Sequence, residues 1–301
     1  MVALQRAESD SPMIVVFNPV AGRRRAHLLW RVLDVLVANG VRLDLAETQR
    51  AGHAESLARE AAQRGEHLIV AAGGDGTIAE VANGLMGSGA CLGVIPLGTA
   101  NVLAHELGLP FAPRPVAAAL AFGRTRTLWP GQANGPGGTK LFVQMLGVGF
   151  DAHVVHNLPV PLKKIFGKGA YVIQSARELT RYAFPAIRMR IDGMETETSS
   201  VIVTKGRLYG GGFRLADDAA SGRPGFSVVL FDRSGPSAAL LYGAALPLNL
   251  LGRAPGVRQI RARRIDFLQN ESVPAQTDGD RAGYAPLWVS DAPAPIEVVT
   301  G

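Results

Sequence analysis

Short apolar runs alternate with helix-period segments through the first part of the chain. The apolar runs are rich in β-branched residues and end at turn residues, which predicts strands at Met13–Asn18, Val41–Glu47, Leu68–Ala72 and Cys91–Pro96. The segments that follow them have helical periodicity at 27–38, 54–64, 78–85 and 101–107. Four such units predict an α/β fold with a doubly wound parallel sheet, which binds ligands at the carboxyl ends of its strands.

The pattern changes beyond residue 123. Strand-like runs separated by Gly, Pro and Asp turns predict a mainly antiparallel, sandwich-like β domain, with the runs LFVQMLGV, AIRMRIDG, SSVIVTKG, GFSVVLF, RRIDFLQ and PLWVS. Two helices are expected to interrupt it, at Leu162–Tyr182 and Ser237–Leu250. The best boundary is Gly123–Thr127. We therefore expect an α/β domain at 13–127, rejoined by a C-terminal strand at about 293–301, and a β-rich domain at 128–292.

Composition narrows the class of protein. The 301 residues are 47% hydrophobic and 19% charged, which is apolar enough for a folded globular chain. A net charge of +6 favours anionic partners such as nucleotides, nucleic acid or an acidic membrane face. The single cysteine, Cys91, excludes an internal disulfide, and the first twelve residues lack the apolar core of a secretory signal. Both observations indicate a cytoplasmic protein. We expect no transmembrane helix, because the longest apolar stretch, 237–252, is short and contains Pro247.

A glycine cluster, Gly73–Thr77 (GGDGT), lies between a predicted strand and a predicted helix. Glycines there let backbone N–H groups approach a phosphate chain, and the helix N-terminus adds donors. Asp75 offers a ligand for metal or ribose hydroxyls, and Thr77 offers a donor to phosphate. The alternative is a hairpin turn, but the helical pattern that follows favours a phosphate loop. The cluster matches neither the Rossmann nor the Walker pattern.

Two further corners lie between predicted strands and helices, NPVAG at Asn18–Gly22 and PLGTAN at Pro96–Asn101. Each is a weak signal alone, because Pro and Gly end strands in many α/β proteins. Together with Gly73–Thr77 they place three small-residue corners at one edge of the predicted sheet, where such sheets bind ligands.

These motifs resemble, in order and spacing, the diacylglycerol kinase catalytic-domain family of soluble lipid kinases, which is related to sphingosine kinases and distantly to NAD kinases. NPVAG, GGDGT followed by AEVANGL, and PLGTANVLAHELGLP carry the resemblance. GVGFDAHVV, FGKGAYVIQSARELTRY and QTDGD extend it over about 13–301. The resemblance implies an N-terminal domain that binds ATP with Mg²⁺ and a β-rich domain that shapes a lipid site.

The same resemblance implies site residues. Nucleotide contacts are implied at Asn18, Pro19, Gly22, Thr48, Gly73, Gly74, Asp75, Gly76, Thr77 and Thr99. The proton acceptor is implied at Asp280, where the family usually has glutamate in a D-G-E motif, and Asp278 matches its first acid. A carboxylate that accepts the proton of an attacking hydroxyl suits this chemistry. Without the resemblance, Asp278-Gly279-Asp280 is interpreted as a surface turn.

The chain departs from the family pattern in three places. Arg23–Arg25 follow NPVAG where Gly and Lys are usual. Many bacterial members carry an acidic D-G-x-L-D segment that holds a structural magnesium, whereas this chain has Arg223–Ser227, so that site is expected to be absent or rebuilt and its ligands are not assigned. Aspartate at 280 is one methylene shorter than glutamate, and a misplacement of about 1 Å costs on the order of 100-fold in rate, so activity on standard lipids is expected to be low.

Docking to an anionic membrane is predicted at Pro159–Ile173, where lysines adjoin apolar residues; the alternative is an ordinary domain-joining helix. The arginines of 253–264 are interpreted as a solvated face, with no nucleic-acid motif beside them.

The leading hypothesis is an ATP- and Mg²⁺-dependent kinase of diacylglycerol or a related lipid, peripheral at the inner membrane face. The alternatives are a soluble-substrate kinase similar to NAD kinase and a nucleotide- or lipid-binding regulator without turnover. The oligomeric state is not assigned.

Overall fold

The computed structural model describes residues 12–20, 25–159, 168–268 and 273–301. The described residues form two compact units, one of those up to 128 together with 293–301 and one of those from 129 to 292. The first has a parallel sheet with helices and the second has antiparallel sheets, which confirms the predicted fold class.

The first unit alternates strands and helices along the chain. Its elements are β1 Met13–Phe17, α1 Ala26–Ala38, β2 Leu43–Glu47, α2 His53–Gln63, β3 Leu68–Gly73, α3 Asp75–Leu85, β4 Cys91–Pro96, α4 Val102–Glu106, α5 Pro113–Phe122, β5 Arg124–Leu128 and β20 Ile296–Thr300. The strand order is β2-β1-β3-β4-β20-β5. The last strand lies between β4, with which it pairs in parallel, and the edge strand β5, with which it pairs antiparallel.

Burial on both faces explains the continuous apolar strands of this sheet. Residues 69–73 of β3 and 92–96 of β4 are all buried, as parallel strands covered by helices on both sides require. The helix α1 packs one stripe against the sheet through Leu29, Val32 and Leu36. This rigid core fixes the corners at the carboxyl ends of β1, β3 and β4.

Two features of the first unit differ from the sequence prediction. The helix α3 begins at Asp75 and not at residue 78, because Gly74 is the extended N-cap and the chain turns helical directly after it. Asp75, Gly76 and Thr77 are therefore the first helical turn. The helix α5 was not predicted, although Pro113 near its start and the alanines that follow suit a helix.

The second unit is dominated by strands. Its elements are β6 Gly131–Gly135, β7 Gly138–Phe142, β8 Met145–Val148, α6 Phe150–Asn157, α7 Lys168–Glu178, β9 Ile187–Ile191, β10 Met194–Thr198, β11 Ser200–Thr204, β12 Leu208–Tyr209, β13 Phe213–Arg214, β14 Phe226–Phe231, α8 Pro236–Ala245, a 3-10 turn at Leu251–Arg253, β15 Val257–Ala262, β16 Ile265–Phe267, β17 Pro274–Thr277, β18 Asp280–Tyr284 and β19 Leu287–Asp291.

Two six-stranded antiparallel sheets dominate this unit, with the orders β10-β9-β16-β19-β6-β7 and β15-β14-β11-β8-β17-β18, beside the two-stranded sheet β12-β13. One core of buried apolar side chains joins them, with Phe142, Phe226 and Phe267 among the largest. The strict alternation of buried and exposed residues along β9 is that of a strand with one face on this core. The second unit is therefore a β-sandwich.

Three predicted elements of the second unit need correction. The run LFVQMLGV contains two strands, because Val143 and Gln144 leave the ladder between β7 and β8. The helix expected at 237–250 ends at Ala245, since Pro247 lacks the N–H that would continue it. Of the helix expected at 162–182, residues 162–167 lie outside the described residues, and the part described is Lys168–Glu178. The helix α6 was not predicted.

Candidate active site

The turn from β3 into α3 places the glycine cluster at a helix N-terminus. Gly74 is extended, with φ −93° and ψ −174°, and the helix starts at Asp75. The first N–H groups of a helix have no acceptor within it, and they carry the positive end of the helix dipole. The N–H groups of Gly76 and Thr77 belong to this first turn, which has the donor chemistry of a phosphate-binding site.

The corners Gly73–Thr77 and Pro96–Asn101 approach each other through backbone atoms at Gly74 and Gly98. A Cβ added to Gly98 would lie 2.5 Å from the Gly74 Cα, and a Cβ on Gly74 would lie 3.3 Å from the Gly98 Cα. The Gly73 carbonyl accepts hydrogen bonds from Leu97 N at 2.9 Å and from Gly98 N at 3.2 Å. Glycine is therefore required at position 98, and a side chain at position 74 would be tight against the same backbone, a reason that the sequence pattern alone did not supply.

Asn18, at the corner after β1, is hydrogen-bonded to the first turn of α3. Asn18 Nδ2 donates to Thr77 Oγ1 at 3.1 Å, and Asn18 Oδ1 accepts from Val20 N at 3.0 Å. Asn18 N donates to the Ala72 carbonyl at 3.1 Å. The structure thus brings the three corners that the sequence singled out together at one edge of the sheet.

Asp75 supports the neighbouring helix from within the loop. Its Oδ1 accepts a hydrogen bond from Leu103 N at 3.3 Å, at the start of α4. Burial raises the pKa of the Asp75 carboxyl above its ordinary value, and backbone hydrogen bonds oppose that shift. Sequence reasoning offered this side chain to metal or ribose hydroxyls; the structure shows that it also fixes the corner that follows β4.

Asn101 is a buried residue of this corner that the sequence analysis did not single out as a contact. Its backbone is left-handed, with φ 47°, and its side chain is 1% exposed. Its Nδ2 donates to the Gly98 carbonyl at 2.8 Å. Within the described part of the chain its Oδ1 is buried without a hydrogen-bond partner, and this atom lies 2.7 Å from where a Gly98 Cβ would be.

The remaining predicted nucleotide contacts are placed as follows. Thr48, half-buried at the end of β2, donates its N–H to the Phe17 carbonyl at 2.8 Å. Pro19 is half-buried beside Asn18, and Thr99 is exposed in the corner after β4. Gly22, like Arg23 and Arg24, lies outside the described residues.

The second unit presents the acidic motif on a tight hairpin. Thr277 pairs with Asp280 across β17 and β18, and both turn residues, Asp278 and Gly279, have positive φ of 48° and 84°. Positive φ at both central positions is the requirement of the type I′ turn, which Asp-Gly favours. The interpretation as a turn is thus correct as geometry, and the turn displays the exposed Asp280 at the first position of β18.

Asp278 fixes this hairpin to the connection between β7 and β8. Its Oδ2 accepts from Val143 N at 2.7 Å, and its Oδ1 accepts from Gln144 N and Met145 N, each at 2.9 Å. Asp278 N in turn donates to the Met145 carbonyl at 2.9 Å. Three backbone donors occupy the carboxylate, which gives Asp278 a positioning role; its catalytic role stays a prediction.

A buried network behind the hairpin was missed by sequence reasoning. Asp151 Oδ2 accepts from Gln276 Nε2 at 2.8 Å, and Asp151 Oδ1 accepts from the Tyr209 hydroxyl. Gln276 Oε1 accepts from Gly279 N at 2.8 Å, and the Tyr171 hydroxyl donates to the Gly279 carbonyl at 3.2 Å. Burial raises the pKa of Asp151. The sequence signals were the positions of Asp151, Tyr171 and Gln276 within GVGFDAHVV, FGKGAYVIQSARELTRY and QTDGD.

Comparisons with known proteins agree with this geometry. Residues 12–133 match the model of the diacylglycerol kinase catalytic domain, and residues 144–300 match that of the YegS C-terminal NAD kinase beta sandwich-like domain. A diacylglycerol kinase of Bacillus subtilis is 30% identical over 90% of each chain. A probable lipid kinase, YegS-like, of Pseudomonas putida is 34% identical over 85% of this chain and 84% of its own.

The chain belongs to the diacylglycerol kinase family. It is a lipid kinase on that ground, as the homologues named diacylglycerol kinase and YegS-like lipid kinase indicate. A crystal structure from Bacillus anthracis, whose name assigns it provisionally to the diacylglycerol kinases, superposes with a TM-score of 0.79 at 22% identity, covering 96% of this chain and 95% of its own. That likeness establishes the shared fold.

A lysine ammonium bonds the oxygens of the segment Arg223–Ser227, where many relatives are expected to hold a structural magnesium. The Lys205 ammonium donates to the Arg223 carbonyl at 3.1 Å, to the Gly225 carbonyl at 2.9 Å and to Asp291 Oδ1 at 2.7 Å. A lysine therefore already supplies positive charge to the oxygens of this segment. Among the described residues, no group of three His, Cys, Asp or Glu side chains could hold a metal ion.

No helix of the kinase, over the residues that the structure describes, has the length and apolar character to cross a bilayer. The lysine-bearing segment predicted to dock at a membrane lies mostly outside the described residues, which resume with α7 at Lys168. Within α7, Val172 is 71% exposed and Ile173 is 40% exposed.

Proposed function

We propose that this lipid kinase transfers the γ-phosphoryl group of ATP to a hydroxyl of diacylglycerol or a related lipid, at the anionic inner face of the membrane. The observation that carries the nucleotide part is the meeting of three glycine-containing corners at the N-terminus of α3, where backbone contact between Gly74 and Gly98 fixes a turn rich in N–H donors. The name of the Bacillus subtilis relative supports diacylglycerol as the acceptor.

The first unit would bind the triphosphate through backbone groups. N–H groups at the start of α3 donate to phosphate oxygens, and the Asn18 bond holds the Thr77 side chain in place beside them. Asp75 keeps the corner at α4 in register through Leu103 N. Magnesium bound with the nucleotide would screen the phosphate charges during transfer.

The second unit would supply the proton acceptor. Asp280 lies at the exposed end of a two-residue hairpin whose turn is fixed by Asp278 and by Gln276. A carboxylate held in this way can take the proton of a lipid hydroxyl as the oxygen attacks phosphorus. The turn must hold the backbone in place, because aspartate is one methylene shorter than the glutamate usual in the family and a misplaced carboxylate lowers the rate.

One observation favours a second acceptor. The family model that matches residues 144–300 describes a β-sandwich similar to that of NAD kinase, so the second unit is compatible with a soluble dinucleotide acceptor. NAD therefore belongs in the assay beside lipids.

The test is transfer of labelled phosphate from ATP, with Mg²⁺, to diacylglycerol, monoacylglycerol, phosphatidylglycerol and a sphingoid base in mixed micelles, with NAD as a parallel acceptor. A labelled lipid is the expected product. Labelled NADP alone would replace the lipid proposal with the dinucleotide one. Binding of ATP without any product would refute turnover on these acceptors.

The role of Asp280 is tested with Asp280→Asn, Asp280→Glu and the control Asp217→Asn, which alters another exposed aspartate of the second unit. We expect Asp280→Asn to lower kcat by about 100-fold or more, the usual worth of a general base, while ATP binding measured by calorimetry is unchanged. Asp280→Glu should retain or raise kcat, and Asp217→Asn should match the wild type. A wild-type kcat in Asp280→Asn would contradict the assignment.

A further inference from the structure

The helix α8 packs on the second unit through alanines and a tyrosine, and its leucines are exposed. Two alanines and one tyrosine face inward, with Ala238, Tyr242 and Ala245 buried, whereas Ser237 and Ala244 are exposed. Tyr242 packs on the Phe231 ring, 5.1 Å between centroids, and its hydroxyl donates to the Pro255 carbonyl at 3.3 Å. The helix is thus fixed to the second unit without using its large apolar side chains.

Those large side chains face solvent. Leu240 is 59% exposed, Leu241 40%, Leu248 66% and Leu250 45%. We call these four residues the leucine ridge. Isolated exposed hydrophobic residues are ordinary, but four exposed leucines within residues 240–250 are a concentration of apolar surface of the kind that marks a binding surface.

The chain that carries the leucine ridge is rich in arginine, and the acidic Asp217 near it is paired with Arg214, whose N–H donates to Asn249 Oδ1 at 3.2 Å. Between Asp232 and Asp266 the sequence has no acidic residue and six arginines, Arg233, Arg253, Arg258, Arg261, Arg263 and Arg264. Arg258 pairs with Asp232, Arg264 pairs with Asp266, and Arg261 donates to the Asp218 carbonyl. The exposed Arg233 and Arg253 are the arginines nearest to the ridge along the chain. Arg253 ends the 3-10 turn that follows Leu250, and Arg233 lies beside Gly256 and the Tyr242 hydroxyl.

This combination fits an anionic bilayer better than a second copy of the chain. A two-fold contact through the ridge would place the same patch against itself and bring like charges of the flanking arginines together. On a bilayer the leucines enter the boundary between headgroups and acyl chains, while the arginines meet phosphate. At ten residues, α8 is too short to span the membrane and suits a position in the plane of the interface.

We infer that the leucine ridge, flanked by Arg233 and Arg253, is the surface by which the second unit docks on an anionic membrane. The inference deepens the proposed function, because docking would bring the enzyme to a lipid acceptor. Docking itself is measurable without turnover, so it can succeed or fail independently of the kinase assay.

The experiment is co-sedimentation of the full chain with vesicles of equal parts phosphatidylglycerol and phosphatidylcholine, and with vesicles of phosphatidylcholine alone. The test variants are Leu240→Gln with Leu248→Gln, and Arg233→Gln with Arg253→Gln. The control is Met194→Gln, which removes a 74% exposed apolar side chain elsewhere in the second unit. Thermal unfolding of each variant checks that it is folded.

We expect the leucine double variant to bind the mixed vesicles about tenfold more weakly or worse, since two apolar side chains no longer enter the interface. The arginine double variant should lose binding to the mixed vesicles and not to phosphatidylcholine alone. Met194→Gln should bind as the wild type. Equal binding by the folded leucine variant and the wild type would overturn the inference.

Two further measurements distinguish membrane docking from self-association and from a loss of catalysis. Light scattering after size exclusion would show a dimer that the leucine variant abolishes if the ridge contacts a second copy, and that result would also overturn the inference. Phosphoryl transfer to a short-chain diacylglycerol below its micelle concentration should be the same in the leucine variant and the wild type, whereas transfer to vesicle lipid should fall. Absence of transfer in both proteins would count against the proposed function and leave the sedimentation result standing.

Discussion

Replacing Lys205 by methionine tests whether a buried ammonium holds the second unit together. The lysine side chain is fully buried, and its Nζ bonds three oxygens, of Arg223, Gly225 and Asp291. It also lies 4.6 Å from the centroid of the Phe226 ring. Burial lowers the pKa of Lys205 from its ordinary value, while the hydrogen bond to Asp291 opposes that shift. Methionine keeps the length of the side chain and removes the charge and all three donors.

The expected loss follows from those contacts. Removing one partner of a buried ion pair costs about 3–5 kcal/mol, and each carbonyl left without a donor adds to the loss. The Asp291 side chain is 21% exposed and keeps its bond from Gly225 N at 2.7 Å, and the thioether packs on Phe226, so the cost falls toward the lower end. We expect a loss of about 3 kcal/mol, which lowers Tm by roughly 6–12 °C for a unit of this size.

Differential scanning calorimetry of the full chain measures this loss. The control is Lys140→Met, an exposed lysine that donates to the Arg281 carbonyl, for which we expect a change of less than about 1 kcal/mol. A double-mutant cycle with Asp291→Asn should give a coupling of about 1 kcal/mol or more. A chelator should leave the wild-type Tm unchanged, because lysine provides the charge. A Lys205→Met protein that unfolds at the wild-type temperature would refute the reasoning.

Three other predictions follow from the described contacts. Gly98→Ala should weaken ATP binding in calorimetry by about tenfold or more and cost about 1–3 kcal/mol, because its Cβ would lie 2.5 Å from the Gly74 Cα. Tyr182→Phe should keep or raise the free energy of unfolding in urea by up to about 1 kcal/mol, because the Tyr182 hydroxyl is buried without a partner among the described residues. Burial raises the pKa of Asp151, so the folded protein binds more protons than the unfolded chain between the ordinary pKa and the raised one. The free energy of unfolding, relative to that of Asp151→Asn, should therefore fall as the pH of the urea titration rises through that window.

Matched controls and opposing results complete these tests. Gly212→Ala adds a Cβ in open space and should bind ATP as the wild type does, so equal binding by Gly98→Ala would contradict the backbone contact. Tyr242→Phe loses a bond to the Pro255 carbonyl and should be destabilised by about 1 kcal/mol, whereas a larger loss in Tyr182→Phe would mean that its hydroxyl has a partner. A difference between wild type and Asp151→Asn that does not change with pH would show that folding does not raise the pKa of Asp151.

Local pattern determined much of this protein. The β-branched runs and helical periods of the first unit predicted its parallel strands and the three corners at their carboxyl ends, because burial on two faces leaves a continuous apolar run that is readable from sequence. The Asp278-Gly279 pair likewise encodes its own turn, since positive φ at two successive positions needs residues of this kind.

Contacts between distant residues were decided only by the tertiary structure. Nothing in the linear pattern indicates that Gly74 needs Gly98, that Asp278 accepts from the β7–β8 connection or that Lys205 reaches Asp291, because each pair is brought together by sheet order and not by spacing along the chain. The outward leucines of α8 were hidden for the same reason. An apolar helix that packs through its small residues has the composition of a buried one, and only the fold shows which side faces solvent.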